Sequence, residues 1–408
     1  MKLGNPPNTH LTYCTNIHPG ETWEEVFNQL KSNLPELKNR LSPEQSFGVG
    51  LRLSARAAEE LLEGKRLDDF KSWLSDEDLY VFTMNGFPFG SFHGECVKDN
   101  VYKPDWTNQE RLEYTLNLAR VLAELLPGDM DGGISTSPIS YKPWLKDSQR
   151  EDVFRVSSRN LAEVAFALAE IREKEGKELH IDIEPEPDCL IENSAETIDF
   201  FENWLFKAGA AHLAAGHGQS QDEAVELIRR HIRVCYDTCH FAVEYEDPAE
   251  AIQQFRQAGI RIGKVQISAA LKVDLNDSIG YTEDVVSKLK QFEEDTYLHQ
   301  VIERRSGSEL FHYPDLSEAL NAGHISEADE WRIHFHVPIF IKEYGILHST
   351  QDDIVRSLEQ LAGDGCTHFE IETYTWDVLP ADLKENLLDS IEREFRWTLE
   401  QVESLTAG

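Results

Sequence analysis

The chain has 408 residues, 40% hydrophobic and 28% charged, the balance of a folded globular protein. Its 74 acidic against 39 basic side chains give a net charge of −35, which argues against nucleic acid or an anionic membrane surface as the main partner. No run approaches the roughly 20 apolar residues of a membrane span, and no apolar signal core follows the N-terminal Met-Lys-Leu-Gly-Asn-Pro-Pro, so a cytoplasmic protein without membrane insertion is expected.

Strand-like runs are predicted over 11–17, 47–53, 79–84, 133–136, 179–184, 232–237, 264–268 and 368–373, with amphipathic helical patterns between them. Asn16 and His18, Arg52, and Asn85 with His93 and Lys98 stand at or just beyond the ends of the first three runs, where polar groups can bind substrate hydroxyls. Thr22-x-x-Glu25 and Thr107-x-x-Glu110 read as helix capping boxes. Asp247-Pro248 reads as an N-cap with proline in the first turn, and Ser349 to Asp352 opens a helix expected to stop at Gly363. The six cysteines (Cys14, Cys96, Cys189, Cys235, Cys239 and Cys366) lack the spacing of a disulfide scaffold, so reduced thiols are expected.

Eight strands separated by helices imply a parallel sheet, and eight is the number that closes into a (β/α)8 TIM barrel. An open doubly wound sheet is the weaker alternative, because no strand is followed by G-x-G-x-x-G or a P-loop. One barrel is expected over 1–408. About 100 residues separate its last two strands, far more than one helix needs. An insertion over 270–345 is therefore expected to cover the C-terminal face, as a hairpin of the β-like runs 297–303 and 331–341 with Ser306-Gly307-Ser308 as a mobile link.

Three strand ends carry metal-binding side chains: Ile-Asp-Ile-Glu-Pro-Glu-Pro at 181–187, Val-Cys-Tyr-Asp-Thr-Cys-His at 234–240 and Phe-Glu-Ile-Glu-Thr-Tyr at 369–374. In a parallel barrel these ends open on one face, so residues distant in sequence meet there. His180, Asp182 and Glu184 share a strand face by the period of two, and so do His368, Glu370 and Glu372. Such polar rows are costly inside a barrel unless paired or ligating. Glu184, Asp237 and Glu372 are the candidate carboxylate ligands, with His240 three residues after Asp237. Glu370 is expected to hydrogen-bond a basic neighbour, and Glu186 to be second shell or solvated. The alternatives are loop carboxylates of an acidic protein and a packed or capping imidazole. Gln266 can offer an amide oxygen, a poorer ligand than carboxylate. His334 and His336 share a face of the insertion's second run and can reach the site as ligand or substrate contact, or lie on an exposed sheet. Oxygen ligands with one imidazole suit a single divalent cation, Mn²⁺, Mg²⁺ or Zn²⁺. No G-x-S-x-G elbow, cysteine-protease signature or kinase motif set is present.

At these residues the chain resembles the xylose-isomerase-like barrel superfamily, which includes sugar-phosphate isomerases and epimerases and AP endonucleases of the endonuclease IV type. In its ketose-epimerase branch the metal is held by Glu, Asp, His and Glu after the fifth to eighth strands, with a second His three residues after the Asp. Glu184, Asp237, His240 and Glu372 match that pattern, and Gln266 stands where the seventh-strand His is usual. The fourth ligand is then Gln266 or a histidine such as His336. The segments 13–23, 50–58, 82–94, 134–138 and 236–240 further resemble the metabolite traffic protein EboE family. The resemblance implies a metal-dependent isomerase or epimerase of a small polyhydroxylated metabolite, working through an enediolate in a traffic or precursor pathway whose other proteins are possible partners. Glu184 and Glu372 would move the proton, and His240 would orient substrate. Asn16, His18, Arg52, Asn85, His93, Lys98 and His334 would bind it. A non-catalytic escort protein and a metal-dependent phosphoester hydrolase are the rival readings.

Overall fold

Runs such as 47–52 and 232–237, buried along their whole length, require cover on both sides of the strand, which a parallel sheet wrapped by helices provides. The computed structural model describes residues 1–4, 8–94, 96–128, 130–275, 283–306, 309–322, 328–361, 365–381 and 383–406. The barrel strands are β1 (His10–Tyr13), β2 (Phe47–Arg52), β3 (Leu79–Asn85), β4 (Asp131–Thr136), β5 (Glu178–Ile183), β6 (Ile232–Asp237), β7 (Ile262–Ile267) and β14 (His368–Ile371). They pair in parallel in the order β1-β14-β7-β6-β5-β4-β3-β2, and a parallel bridge between Cys14 and Gly50 joins the two ends. All eight predicted barrel strands are present. The first is shorter than expected because Thr15–Ile17 coil into a 3-10 turn, where the Thr15 hydroxyl accepts the Arg52 amide in place of a ladder carbonyl.

Helix starts follow local chemistry. Thr22 and Glu25 form the expected reciprocal cap of the helix Trp23–Leu41. Asp247 accepts the amides of Ala249 and Glu250 ahead of the helix Pro248–Gln257. The box expected at Thr107 is not made: Asp105 Oδ1 takes both the amide and the hydroxyl of Thr107, and the helix begins at Gln109. A helix runs over Gln351–Leu361, and its expected stop at Gly363 lies outside the described residues.

The expected hairpin is part of something larger. Strands β9 (Val301–Arg305) and β11 (Ala328–Val337) do pair antiparallel. They belong to a six-stranded sheet of order β10-β9-β11-β8-β13-β12, completed by β8 (Ala269–Asp274), β10 (Glu309–Tyr313), β12 (Glu343–Tyr344) and β13 (Leu347–Ser349). Strand β8 follows β7 after Ser268 alone, so the second sheet begins within a residue of where the insertion is expected to start. Gly307 and Ser308 of the expected link lie outside the described residues.

Inside the barrel the polar rows of β5 and β14 stack along the axis. Lys264 of β7 and Glu370 form a fully buried ion pair at mid-height, as expected for Glu370. Gly50 makes room for it: a Cβ there would stand 1.8 Å from Glu370 Oε1 and 2.7 Å from the Tyr13 carbonyl oxygen.

Candidate metal and substrate site

Glu184, Asp237 and Glu372 come from the C-terminal ends of β5, β6 and β14, and all three are at least 96% buried. Asp237 caps the short helix Thr238–Val243, so its Oδ1 accepts the amides of Cys239 (2.8 Å) and His240 (3.3 Å) and the hydroxyl of Ser268 (2.5 Å). That leaves Oδ2 without a hydrogen-bond partner, as are Glu184 Oε2 and His336 Nε2. Glu372 Oε1 accepts from the amides of both Asn16 (2.8 Å) and Asn85 (3.0 Å). Asn16 and Asn85, expected to bind substrate, are thus the supports of a carboxylate.

The insertion brings two histidines over this face. His336 Nδ1 donates to the Glu372 carbonyl oxygen at 2.9 Å, which fixes the tautomer and leaves a Nε2 lone pair. One donor atom each from Asp237, His240 and His336 lie within 4.8 Å of one another. His240 Nδ1 donates to the Pro185 carbonyl oxygen (2.8 Å) and His334 Nδ1 to Gln300 Oε1 (2.8 Å). The Gln300 amide is oriented by its Nε2 donating to the Pro187 carbonyl oxygen. The two Nε2 atoms of His240 and His334 therefore face each other at 3.1 Å, an arrangement that a shared proton or a cation makes attractive.

The electrostatics favour a cation. Burial, then the nearby Glu372 and Asp237, push the Glu184 carboxyl well above its usual range; burial, Asp237 and Glu370 do the same to Glu372. Burial opposes ionisation of Asp237 too, but His240, His336 and the Ser268 hydroxyl together hold it below the usual range. Burial lowers His336 to about 4 and His334 well below its ordinary value, so both imidazoles are neutral donors. Buried carboxylates beside neutral imidazoles, with open ligand atoms, form a donor set that fits one divalent ion.

Glu184, Glu186, His240, His334, Glu372, Asn16, Asn85 and Lys98 line a cavity of about 50 Å³, whose other walls are mainly aromatic: Phe87, Phe92, Tyr102, Tyr297 and Tyr374. Glu186 is buried at this wall rather than solvated, accepting from the Tyr102 hydroxyl at 2.8 Å, and burial raises it to about 7. Lys98 is held by Asp315 (2.7 Å) and the Glu294 carbonyl oxygen.

The remaining candidates sit elsewhere. Arg52 is held by Glu21 and the carbonyl oxygens of Gly20 and Gly90, and His18 lies 2.8 Å from the Tyr13 hydroxyl; both line a separate small void. A strand end positions a residue near the mouth without fixing which way its side chain turns. His93 donates to the Asn16 carbonyl oxygen and so stands behind the wall. Gln266 is fully buried beneath the mouth, where its Oε1 accepts the Cys235 thiol at 3.1 Å. Ser268, Tyr102 and Gln300 are site residues that the sequence does not reveal, because isolated hydroxyls and amides carry no signal of their own.

No family model and no curated protein sequence matches the chain. Among solved structures it is similar to a D-tagatose 3-epimerase-like protein, with 13% identity, 98% of this chain and 99% of that chain covered, and a TM-score of 0.50. It is also similar to a xylose isomerase-like TIM barrel protein from Mycobacterium smegmatis in complex with magnesium, with 10% identity, 97% of each chain covered and a TM-score of 0.50. At these identities the likeness concerns the fold, which is that of a xylose-isomerase-like TIM barrel.

Proposed function

We propose that this chain is a metal-dependent isomerase or epimerase of a small polyhydroxylated carbonyl compound. The observation that carries the reading is the set of open, buried ligand atoms, Glu184 Oε2, Asp237 Oδ2 and His336 Nε2, beside the cavity that Glu372 also lines. In this reading Glu184, Asp237, Glu372 and His336 hold the ion, His336 taking the fourth place because the Gln266 oxygen is committed to Cys235. A divalent ion bound there supplies polarisation of a carbonyl and its adjacent hydroxyl, which makes the neighbouring C–H acidic. Glu184 and Glu372 stand three strands apart around the ring, so one removes the proton from one side of that carbon and the other returns it. His240, anchored on Pro185, and His334 orient the substrate oxygens.

A phosphoester hydrolase is disfavoured by the lining, which includes three carboxylates and only one cation, Lys98, already neutralised by Asp315. The resemblance of segments 13–23, 50–58 and 82–94 to the EboE family supports a role in a metabolite traffic or precursor pathway, with that pathway's proteins as partners.

The test is solvent exchange. Protein loaded with Mn²⁺ is incubated in D₂O with D-tagatose, D-fructose and other ketoses, and deuterium at the carbon beside the carbonyl is read by NMR. Incorporation is expected, falling about a hundredfold or more in Glu184→Gln and Glu372→Gln. A ketose that saturates the protein yet takes up no deuterium would support an escort role and overturn the enzymatic one.

A further inference from the structure

We propose that the opposite, N-terminal end of the barrel holds a second metal site, for a borderline divalent transition ion such as Zn²⁺, formed by Asp131, His180 and His368 and oriented by Asp182. One donor atom from each of the three ligands lie within 4.8 Å of one another. They come from β4, β5 and β14, so the barrel itself brings them together. The two histidines are at least 99% buried.

His180 Nδ1 lies 2.6 Å from Asp182 Oδ1 and donates to it, so the other nitrogen, Nε2, presents a lone pair. That lone pair stands 3.5 Å from Asp131 Oδ2, and His368 Nε2 stands 3.4 Å from Asp131 Oδ1. Neither Nε2 makes a hydrogen bond, and His368 Nδ1 has none either. The His180 lone pair aimed at the Asp131 carboxylate repels it unless a cation lies between, and His368 Nε2 faces the other oxygen of the same carboxylate. Each histidine meets a different oxygen of Asp131, at spacings close to the roughly 3.3–3.4 Å that separates neighbouring ligand atoms when metal–ligand bonds are about 2.0–2.1 Å. A carboxylate on the far nitrogen of a ligating histidine is also the arrangement that fixes such a ligand's tautomer. Arg233 Nη1 donates to Asp131 Oδ2 at 3.0 Å and anchors the carboxylate from outside.

A second feature points the same way. A Cβ at Gly263 would stand 1.9 Å from Asp182 Oδ1 and 2.7 Å from His180 Nδ1, and one at Gly133 would stand 2.5 Å from Asp182 Oδ2. Two glycines thus clear the space for the Asp182–His180 pair at the barrel floor. Below it, Asp131 and His368 open into a cavity of about 970 Å³, which supplies an entry path and room for a fourth ligand such as water. Two imidazoles and one carboxylate select Zn²⁺-like ions over Mg²⁺ or Ca²⁺.

The test uses Zn²⁺ alone. Metal-free Asp237→Ala protein, in which the C-terminal ligand set is broken, is titrated by calorimetry and is expected to bind one ion. Adding His368→Gln or Asp131→Asn to it should weaken binding by at least about a hundredfold, and adding Asp182→Asn by about 10- to 100-fold. Crystals of the unaltered protein equilibrated with Zn²⁺ give an answer independent of how the variants fold. Anomalous scattering at the zinc edge should show a peak bounded by Asp131, His180 and His368. An Asp237→Ala protein that binds no Zn²⁺, double variants that bind as their parent does, or an empty floor in the zinc map would each overturn the proposal. Failure of the C-terminal site would leave this peak and its loss on substitution unchanged, so the two readings fail separately.

Discussion

Glu372 shows how single side chains prepare the site. Asn16 and Asn85, from the ends of β1 and β3, both donate to its Oε1 and leave Oε2 free of them, 3.9 Å from His336 Nδ1. Removing one support loosens a ligand without removing it, so Asn85→Ala is expected to weaken Mn²⁺ binding by about 10- to 100-fold, measured by calorimetry. Unchanged affinity would mean that Asn85 does not position the carboxylate. Lower in the barrel, Gly50→Ala forces a Cβ against Glu370 and the Tyr13 carbonyl oxygen. It is expected to cost about 3 kcal/mol in denaturant unfolding, because neither the buried ion pair nor the strand backbone can yield cheaply. Glu184, Asp237 and Glu372 were legible in the sequence because each polar residue ends an apolar run, and the period of two told which neighbours share its face. Arg52 and His18 have the same location but side chains turned to Glu21 and Tyr13, a choice made by partners from other segments.

At the scale of elements, the cavity is closed by two walls that clasp each other. The amides of Val97 and Lys98 both donate to the Thr296 carbonyl oxygen, Lys98 Nζ pairs with Asp315, and the Tyr297 hydroxyl donates to the Phe92 carbonyl oxygen. A cavity of about 50 Å³ holds a few waters and no sugar, so substrate entry requires these walls to part. Lys98→Met keeps the stem and removes the charge that ties the clasp to the insertion. Amide hydrogen exchange around 92–102 and 294–298 is expected to accelerate in that variant, and equal rates would show that the ion pair does not govern opening. The insertion was only partly legible. Its β9 and β11 runs announce themselves, but β8 follows β7 with only Ser268 between them, so its residues carry no turn signal that marks a separate strand. Only the antiparallel pairing of β8 with β11 and β13 assigns it to the second sheet.

Across the whole molecule, the C-terminal helix binds barrel and insertion together through one buried acid. Glu394 Oε1 accepts the hydroxyl of Thr373, just beyond β14, and the amide of Ile339, just beyond β11. Burial raises its carboxyl from an ordinary 4.5 to about 7. The folded state therefore holds a proton that the unfolded chain releases between pH 4.5 and 7, and the stability contributed by this group declines as pH rises through that window. The cost above it is about 3 kcal/mol. Glu394→Gln is expected to gain on the parent progressively from pH 5 to pH 8 in denaturant unfolding; a difference independent of pH would contradict the assignment. The barrel's eight strands could be read from their alternation with helices, whereas this tie could not, since Thr373, Ile339 and Glu394 are brought together only by the completed fold.

Glu184, Asp237, His336 and Glu372 at the C-terminal mouth are the proposed ligands of the metal. Crystals grown with Mn²⁺ and measured at the manganese absorption edge test this directly. One anomalous peak is expected there, bounded by carboxylate oxygens of Glu184, Asp237 and Glu372 and by His336 Nε2, and it should be lost in Asp237→Ala. A map with no peak among these four residues at saturating Mn²⁺ would contradict it.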